Sequence, residues 1–425
     1  MSQTLSLSGA TERVSRSALR ALLEESIAGS DPIRKALIVP PDFTRFHSGA
    51  GEITEDLYEL LAPNAEVHVL PALGTHAAMS ERLLKSMFGS VPLDAFRVHD
   101  WREGIVQLGE VPAEFVSKIS GERVDYPIFA EVDTLIAKGG YDRVFSVGQV
   151  VPHEVIGMAN HNKNIFVGTG GQDTINKTHF LGAVCDMEST MGRAESPVRQ
   201  VLDYAEDQFL DVPVTYVLTV RERDDELDEL VSRGVWVGEG REGFHEACQL
   251  SQAVNIDLVD QAFPRVVVYL DPEEFHSTWL GNKSIYRTRM AMADDADLIV
   301  LAPGLKEFGE DPEIDRLIRK YGYRRTPEVL DAVKSNEDLR GNLSAAAHLI
   351  HGSSEGRFRI TYAPGNLSKE EVEGVGYQWD DWAKLEQHYR PKELKDGFHR
   401  HESGEEFYFI SNPALGLWAL RENFT

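Results

Sequence analysis

The sequence predicts an α/β protein of two α/β domains with mainly parallel sheets. Three observations carry this expectation. Short apolar runs of strand length recur along the 425 residues, longer amphipathic stretches separate them, and the runs lack polar alternation. Continuous β-rich runs suit strands covered on both faces. Strands alternating with helices are the pattern of a parallel sheet.

Taken in order, strands are expected at 36–39, 67–70, 144–147, 165–167, 214–220, 266–270, 298–301 and 358–362. Between them, 17–26, 55–61 and 80–87 carry the leucines and small residues of amphipathic helices. A boundary near 260–264, just before a fresh strand, divides the chain into 1–262 and 263–425. The charged segment 221–230 reads as a solvated helix face. The polar stretch 370–406 reads as a surface segment, with the tail free to pack back on the first domain. No internal repeat of solenoid period is visible.

Composition narrows the function. Lys and Arg total 43 against 69 Asp and Glu, a formal charge of −26. Such a surface repels phosphate backbones and anionic lipids, so neither a nucleic acid nor a membrane is an expected partner. A small anionic substrate would need its own local cation. Two cysteines, Cys185 and Cys248, make neither a disulfide framework nor a thiolate metal cage. Residues 1–30 lack the charged and apolar regions of a signal peptide, and the apolar runs are far too short to cross a bilayer. A cytoplasmic protein is expected.

The informative residues follow the strands. Asp42 and Arg45 come after the first, His76 after the second and His153 after the third. In open α/β sheets ligands bind beyond the carboxyl ends of strands. One such histidine is usually a loop residue, whereas three loops ending in catalytic residue types point to a rim of chemistry. Next come His161, Lys163, the turn Gly168-Thr169-Gly170-Gly171-Gln172-Asp173, Lys177 and His179. Glycines there would let backbone N–H groups approach a phosphate. The turn is not a dinucleotide fingerprint, because Asp173 stands where its third glycine belongs. The pairs His348/His351 and His399/His401 have metal-like spacing without carboxylates in a recognisable order, and read as core or surface histidines.

The motifs Pro41-Asp42-Phe43-Thr44-Arg45, Leu73-Gly74-Thr75-His76, Pro152-His153, Lys163 and His179, in that order, resemble the nickel-pincer-nucleotide-dependent lactate racemases and their 2-hydroxy-acid racemase and epimerase relatives. Tyr286 extends the resemblance less closely. It covers most of the chain, and its specific part lies between residues 40 and 180. It implies an isomerase that inverts C2 of a small anionic 2-hydroxy acid by reversible hydride transfer, through a 2-keto acid. The implied cofactor is the nickel-pincer nucleotide, pyridinium-3,5-bisthiocarboxylic acid mononucleotide nickel, joined covalently to Lys163 and supplied by cofactor-synthesis enzymes. His179 would bind the nickel, Asp42 and Tyr286 the cofactor, and Arg45 the substrate carboxylate. His76 and His153 would be the two bases. The active site would lie in the interdomain cleft, with cofactor and bases on the first domain and substrate contacts from the second.

The residue types suit those roles. Histidine alone has an unperturbed pKa near neutrality, as bases on a hydroxyl require. Arginine grips a carboxylate with a planar fork whose charge cannot be lost. A tethered lysine must first lose its proton, which burial or nearby cations favour. An imidazole nitrogen is a sound nickel ligand.

The chain also departs from the family. Arg287 replaces a glutamine after the tyrosine, Met290 stands where a substrate-contacting lysine is usual, and Leu339 is the best match for an active-site tryptophan. These changes leave the cofactor motifs intact and alter the substrate side, so lactate is not the expected preferred substrate. Arg287 is the expected substrate contact, with Arg289 beside it as the alternative for a longer hydroxy acid or sugar acid. Leu339 would equally suit a short aliphatic chain. The competing readings are a non-catalytic nickel-pincer carrier and a conventional metal-dependent aldolase or hydrolase.

Overall fold

The computed structural model describes residues 4–224 and 229–424. The chain forms two compact units, Met1–Cys185 with Ser189–Asn255, and Asp186–Glu188 with Ile256–Thr425. The sequence placed the division at 262/263.

A six-stranded sheet organises the first unit, in the order Leu5–Ser8, Glu229–Gly238, Val214–Asp224, Arg143–Gln149, Lys35–Val39, Glu66–Val69. The last four pair in parallel. Ala36, Leu37, Ile38 and Val39 are all completely buried, which explains why this strand shows no polar alternation. Leu37, Ile38 and Val39 each contribute about 1.5–3 kcal/mol on burial. The helix Ala50–Leu61 places Ile53, Leu57 and Leu61 on one stripe against this core. The helix Arg16–Ala28 starts at Ser15, whose side chain accepts from the Ala18 amide. Asp56 ties the two helices together through Arg16 and Arg20, at 3.0 and 2.9 Å.

The structure corrects two local expectations. Segment 221–230 is no helix face: Val214–Asp224 and Glu229–Gly238 are antiparallel strands, and residues 225–228 lie outside the described residues. Its charges pair across the ribbon, Arg233 with both Glu222 and Asp224, which is why a charged run holds a strand. Nor is 165–167 a strand. Asn164–Gly168 forms a π-helical turn, with Ile165, Phe166 and Val167 buried and the Thr169 hydroxyl donating to the Ile165 carbonyl at 2.6 Å. A short apolar run cannot be told from a buried helical turn by periodicity. A separate hairpin, Ile105–Val111 with Ile128–Asp133, lies outside the main sheet.

The second unit has its own six-stranded sheet, ordered Gln378–Trp379, Arg359–Pro364, Met292–Ala302, Phe263–Tyr269, Glu406–Ile410, Gly397–Arg400. All pairs are parallel except the last. The segment read as surface therefore leads into the sheet. Leu385 and Tyr389 form an apolar stripe on the helix Trp382–Tyr389, and with Trp382 beside them pack with Phe407 and Phe409 into the core. Among the described residues, no helix is long and apolar enough to cross a membrane.

Candidate active site

Because Lys35–Val39, Glu66–Val69 and Arg143–Gln149 run parallel, the loops after them leave the sheet at the same edge. These loops, together with the segment from Ala159 to His179, line a cavity of about 250 Å³. Asp42, Arg45, His76, His153, Lys163 and His179 all face it. Six residues scattered over 138 positions of sequence are thus gathered by one sheet edge. The cavity is formed by first-unit residues. Tyr286 and Arg287 belong to the second unit, where Tyr286 closes the short helix Lys283–Tyr286 and Arg287 follows as its C-cap.

The two histidines that sequence reasoning treated as equivalent differ in hydrogen bonding. His76 Nδ1 lies 2.6 Å from Asp42 Oδ2. The other Asp42 oxygen accepts from the Thr44 hydroxyl at 2.5 Å and from the Thr44 amide at 3.2 Å. Burial pushes the Asp42 carboxyl up, but the bonds from His76 and Thr44 outweigh it and hold the group below the usual carboxylate range. An ionised carboxylate only accepts, so Nδ1 carries a proton, and in the neutral ring Nε2 is the nitrogen with the lone pair. His153 has the opposite arrangement. Its Nδ1 accepts from the Val155 amide at 3.1 Å, so the neutral ring carries its proton on Nε2. Burial holds His153 well below the ordinary histidine pKa, with Lys163 and Arg45 adding to the effect. His76 therefore presents a base and His153 a hydrogen-bond donor.

Lys163 precedes the π-helical turn and follows two residues in left-handed conformation, Asn160 at φ 68° and His161 at φ 58°. Arg199, almost wholly buried, holds this bend by donating to the carbonyls of Met158 and Asn160, at 2.8 and 3.2 Å, and to the Asn162 side chain. Asn162 in turn donates to Asp203 at 2.6 Å and to Glu206 at 2.9 Å. Gly148 is required here, since a Cβ would stand 1.9 Å from Asn160 Nδ2. Burial, then Arg45, lowers the Lys163 amine to about 8. Arg45 itself is exposed at the cavity and has no ion-pair partner among the described residues, notable in so acidic a chain.

His179 lies on the helix Gln172–Val184 and donates from Nδ1 to the Ile175 carbonyl at 2.6 Å. That bond fixes the tautomer and leaves Nε2 open, the state of a metal-binding imidazole. Among the described residues no three His, Cys, Asp or Glu side chains converge as a metal site, so a metal on His179 needs donors from a bound group.

The glycine turn does not present the expected phosphate cradle. Glu131 Oε2 accepts from the amides of Asp173 and Thr174, at 3.0 and 3.3 Å, so the chain's own carboxylate caps this helix. Gly170 is needed for packing, because a Cβ would meet the Phe166 carbonyl oxygen at 1.8 Å. His99 braces the same turn, with Nδ1 at 2.8 Å from Asp133 and Nε2 at 3.2 Å from the Gly170 carbonyl. Sequence reasoning missed Asp42 as the partner of His76, and missed Arg199. The Asp42-x-Thr44 spacing of a capped turn signals the first. Nothing in sequence signals the second. His348 and His351 are buried core residues of the second unit, whereas His399, at the surface, donates from Nε2 to the Lys395 carbonyl at 2.6 Å.

Fold and site define an α/β protein whose first unit gathers imidazoles, a lysine and an arginine beyond the carboxyl ends of a parallel sheet. Residues 12–192 match the family model of the lactate racemase N-terminal domain. Two solved structures share the fold. A protein from Thermotoga maritima, a structural-genomics target, superposes with a TM-score of 0.78 at 22% identity, covering 98% of this chain and 100% of that one. The lactate racemase apoprotein from Thermoanaerobacterium thermosaccharolyticum superposes with a TM-score of 0.69 at 14% identity, covering 94% and 92%. No curated protein matches the chain in sequence.

Proposed function

We propose that the chain is an isomerase, a racemase or epimerase that inverts C2 of a 2-hydroxy acid with a nickel-pincer nucleotide tethered to Lys163. The observation that carries this reading is the convergence, in one cavity, of a lowered lysine amine, an imidazole with an open Nε2, an unpaired guanidinium and two imidazoles of opposite polarity. These residues fit the group. Lys163 is poised to lose its proton and become acylated, and His179 offers one nitrogen to the metal. When bound, the group would supply a hydride acceptor and the remaining metal donors.

The chain's residues account for the rest. Arg45 binds the substrate carboxylate through a bidentate, charge-assisted contact. His76 takes the hydroxyl proton at Nε2, and Asp42 stabilises the imidazolium that forms. His153 steadies the same oxygen from its Nε2–H as the carbon becomes a planar 2-keto acid. Return of hydrogen to the opposite face, with the proton handed back, inverts the centre. Arg287 and Tyr286 are proposed as further substrate and cofactor contacts.

Co-expression with cofactor-synthesis enzymes tests this reading. It expects about one nickel per chain, an adduct that maps to Lys163, and inversion of at least one member of a panel of short, aromatic and sugar-derived 2-hydroxy acids. A fully loaded chain that inverts none of them is a carrier, and the catalytic reading then fails.

A further inference from the structure

Lys163 has the surroundings of an imine-forming amine, quite apart from any cofactor. An amine becomes nucleophilic near neutral pH when it is desolvated or set beside another cation. Lys163 lines the cavity together with Arg45, whose guanidinium has no ion-pair partner among the described residues. The same cavity holds a base, the Nε2 of His76, fixed by its Nδ1 contact with Asp42. It also holds a donor for a carbonyl oxygen, the Nε2–H of His153, fixed by the Val155 amide. A carboxylate anchor, an amine, a base and an oxyanion donor are the parts that condensation with a 2-oxo acid needs.

We propose that the unloaded chain binds 2-oxo acids covalently and reversibly, as an imine between Lys163 Nζ and the C2 carbonyl, with the carboxylate on Arg45. The amine lone pair forms the C–N bond while the carbonyl π pair moves to oxygen, held by the His153 Nε2–H. One nitrogen-bound proton passes through His76 to that oxygen, giving the carbinolamine. The nitrogen lone pair then forms C=N, and the hydroxyl leaves with the second nitrogen-bound proton as water. Nothing is oxidised or reduced, and no co-reactant is needed. The lowered Lys163 pKa supports the step, since a useful fraction of the amine is neutral at pH 8. This activity goes beyond the racemase reading and does not depend on it.

The test uses the full-length unloaded chain, pyruvate and borohydride at pH 8, read by intact mass and peptide mapping. The expected result is a single reduced adduct on Lys163, saturable in pyruvate and missing in Lys163→Arg. Arg45→Met, a substitution at an exposed side chain, is expected to raise the half-saturating pyruvate about tenfold or more, the worth of a charge-assisted contact. Acetone, which has no carboxylate, reports only the change in amine protonation when Arg45 is lost, so Arg45→Met should weaken trapping of pyruvate by clearly more than it weakens trapping of acetone. No adduct at saturating pyruvate, adducts spread over surface lysines, or an Arg45→Met chain that saturates like the parent would overturn the proposal. Because no cofactor enters, failure here leaves the racemase reading standing, and failure of inversion leaves this one standing.

Discussion

Replacing Asp42 by asparagine separates the two imidazoles most sharply. The carboxylate contact to His76 is 2.6 Å long and fixes the proton on Nδ1. Asparagine keeps an oxygen for the Thr44 hydroxyl but presents an N–H₂ group to His76, which favours the tautomer with its proton on Nε2. The base is then blocked, and no carboxylate stabilises the imidazolium. A hydrogen bond to a charged group contributes about 1.5–3 kcal/mol. The His76 side chain is 58% exposed, so solvent screening places the effect in the lower part of that range. At about 1.4 kcal/mol per tenfold, the expected loss is about 10- to 50-fold. It should fall on kcat, because Arg45 is untouched. The assay is initial-rate inversion by loaded Asp42→Asn, with loading matched by intact mass to the parent. A variant that turns over at the parental rate at equal loading would refute the assignment of His76 as the proton-moving base.

Three further outcomes follow from the buried groups. His161 is held well below the ordinary histidine pKa, and His348 is pushed down to about 3, both by burial first. The unfolded chain therefore takes up protons below about pH 6.5 that the folded chain refuses. Stability is full above that pH and falls as pH drops, so the urea midpoint should decrease between pH 7 and pH 5; a constant midpoint would contradict this. Lys163, lowered to about 8, carries a strained charge at pH 7, and its stability penalty is relieved as pH rises from 8 toward 10.5. Lys163→Met should accordingly raise Tm at pH 7, with the gain shrinking by pH 10; equal gains at both would sink the argument. Gly170→Ala should lower Tm by several degrees, since the added methyl group meets a backbone carbonyl oxygen rather than a movable side chain. A Tm within a degree of the parent would show that the turn can yield.

The parts of this molecule that were legible in sequence share one property, a local signal. The parallel strands were visible because residues such as 36–39 are buried on both faces and so apolar throughout. The rim residues were visible because each follows a strand within a few positions, and one sheet edge then gathers them without further information. What sequence concealed depends on partners far along the chain. Arg199 looks like any helix arginine until the carbonyls of Met158 and Asn160 are seen to need its donors. The glycine turn looked open to an anion because Glu131, 42 residues before Asp173, gives no sign that it occupies the helix start. The charged segment 221–230 looked helical because the ion pairs of Glu222 and Asp224 lie across the strands, to Arg233, rather than along one face. The opposite polarities of His76 and His153 rest on Asp42 and on the Val155 amide, and residue types alone do not encode which ring nitrogen bears the proton.

The central claim is that hydrogen leaves C2 with its electron pair and returns to the opposite face of the same molecule. Inversion in deuterium oxide by the loaded chain, followed by mass analysis of the separated enantiomers, tests it directly. Hydride transfer predicts that the inverted hydroxy acid retains its original C2 hydrogen. Deuterium at C2 in step with inversion would instead show that a solvent-exchanging base deprotonates the carbon, and would contradict hydride transfer outright.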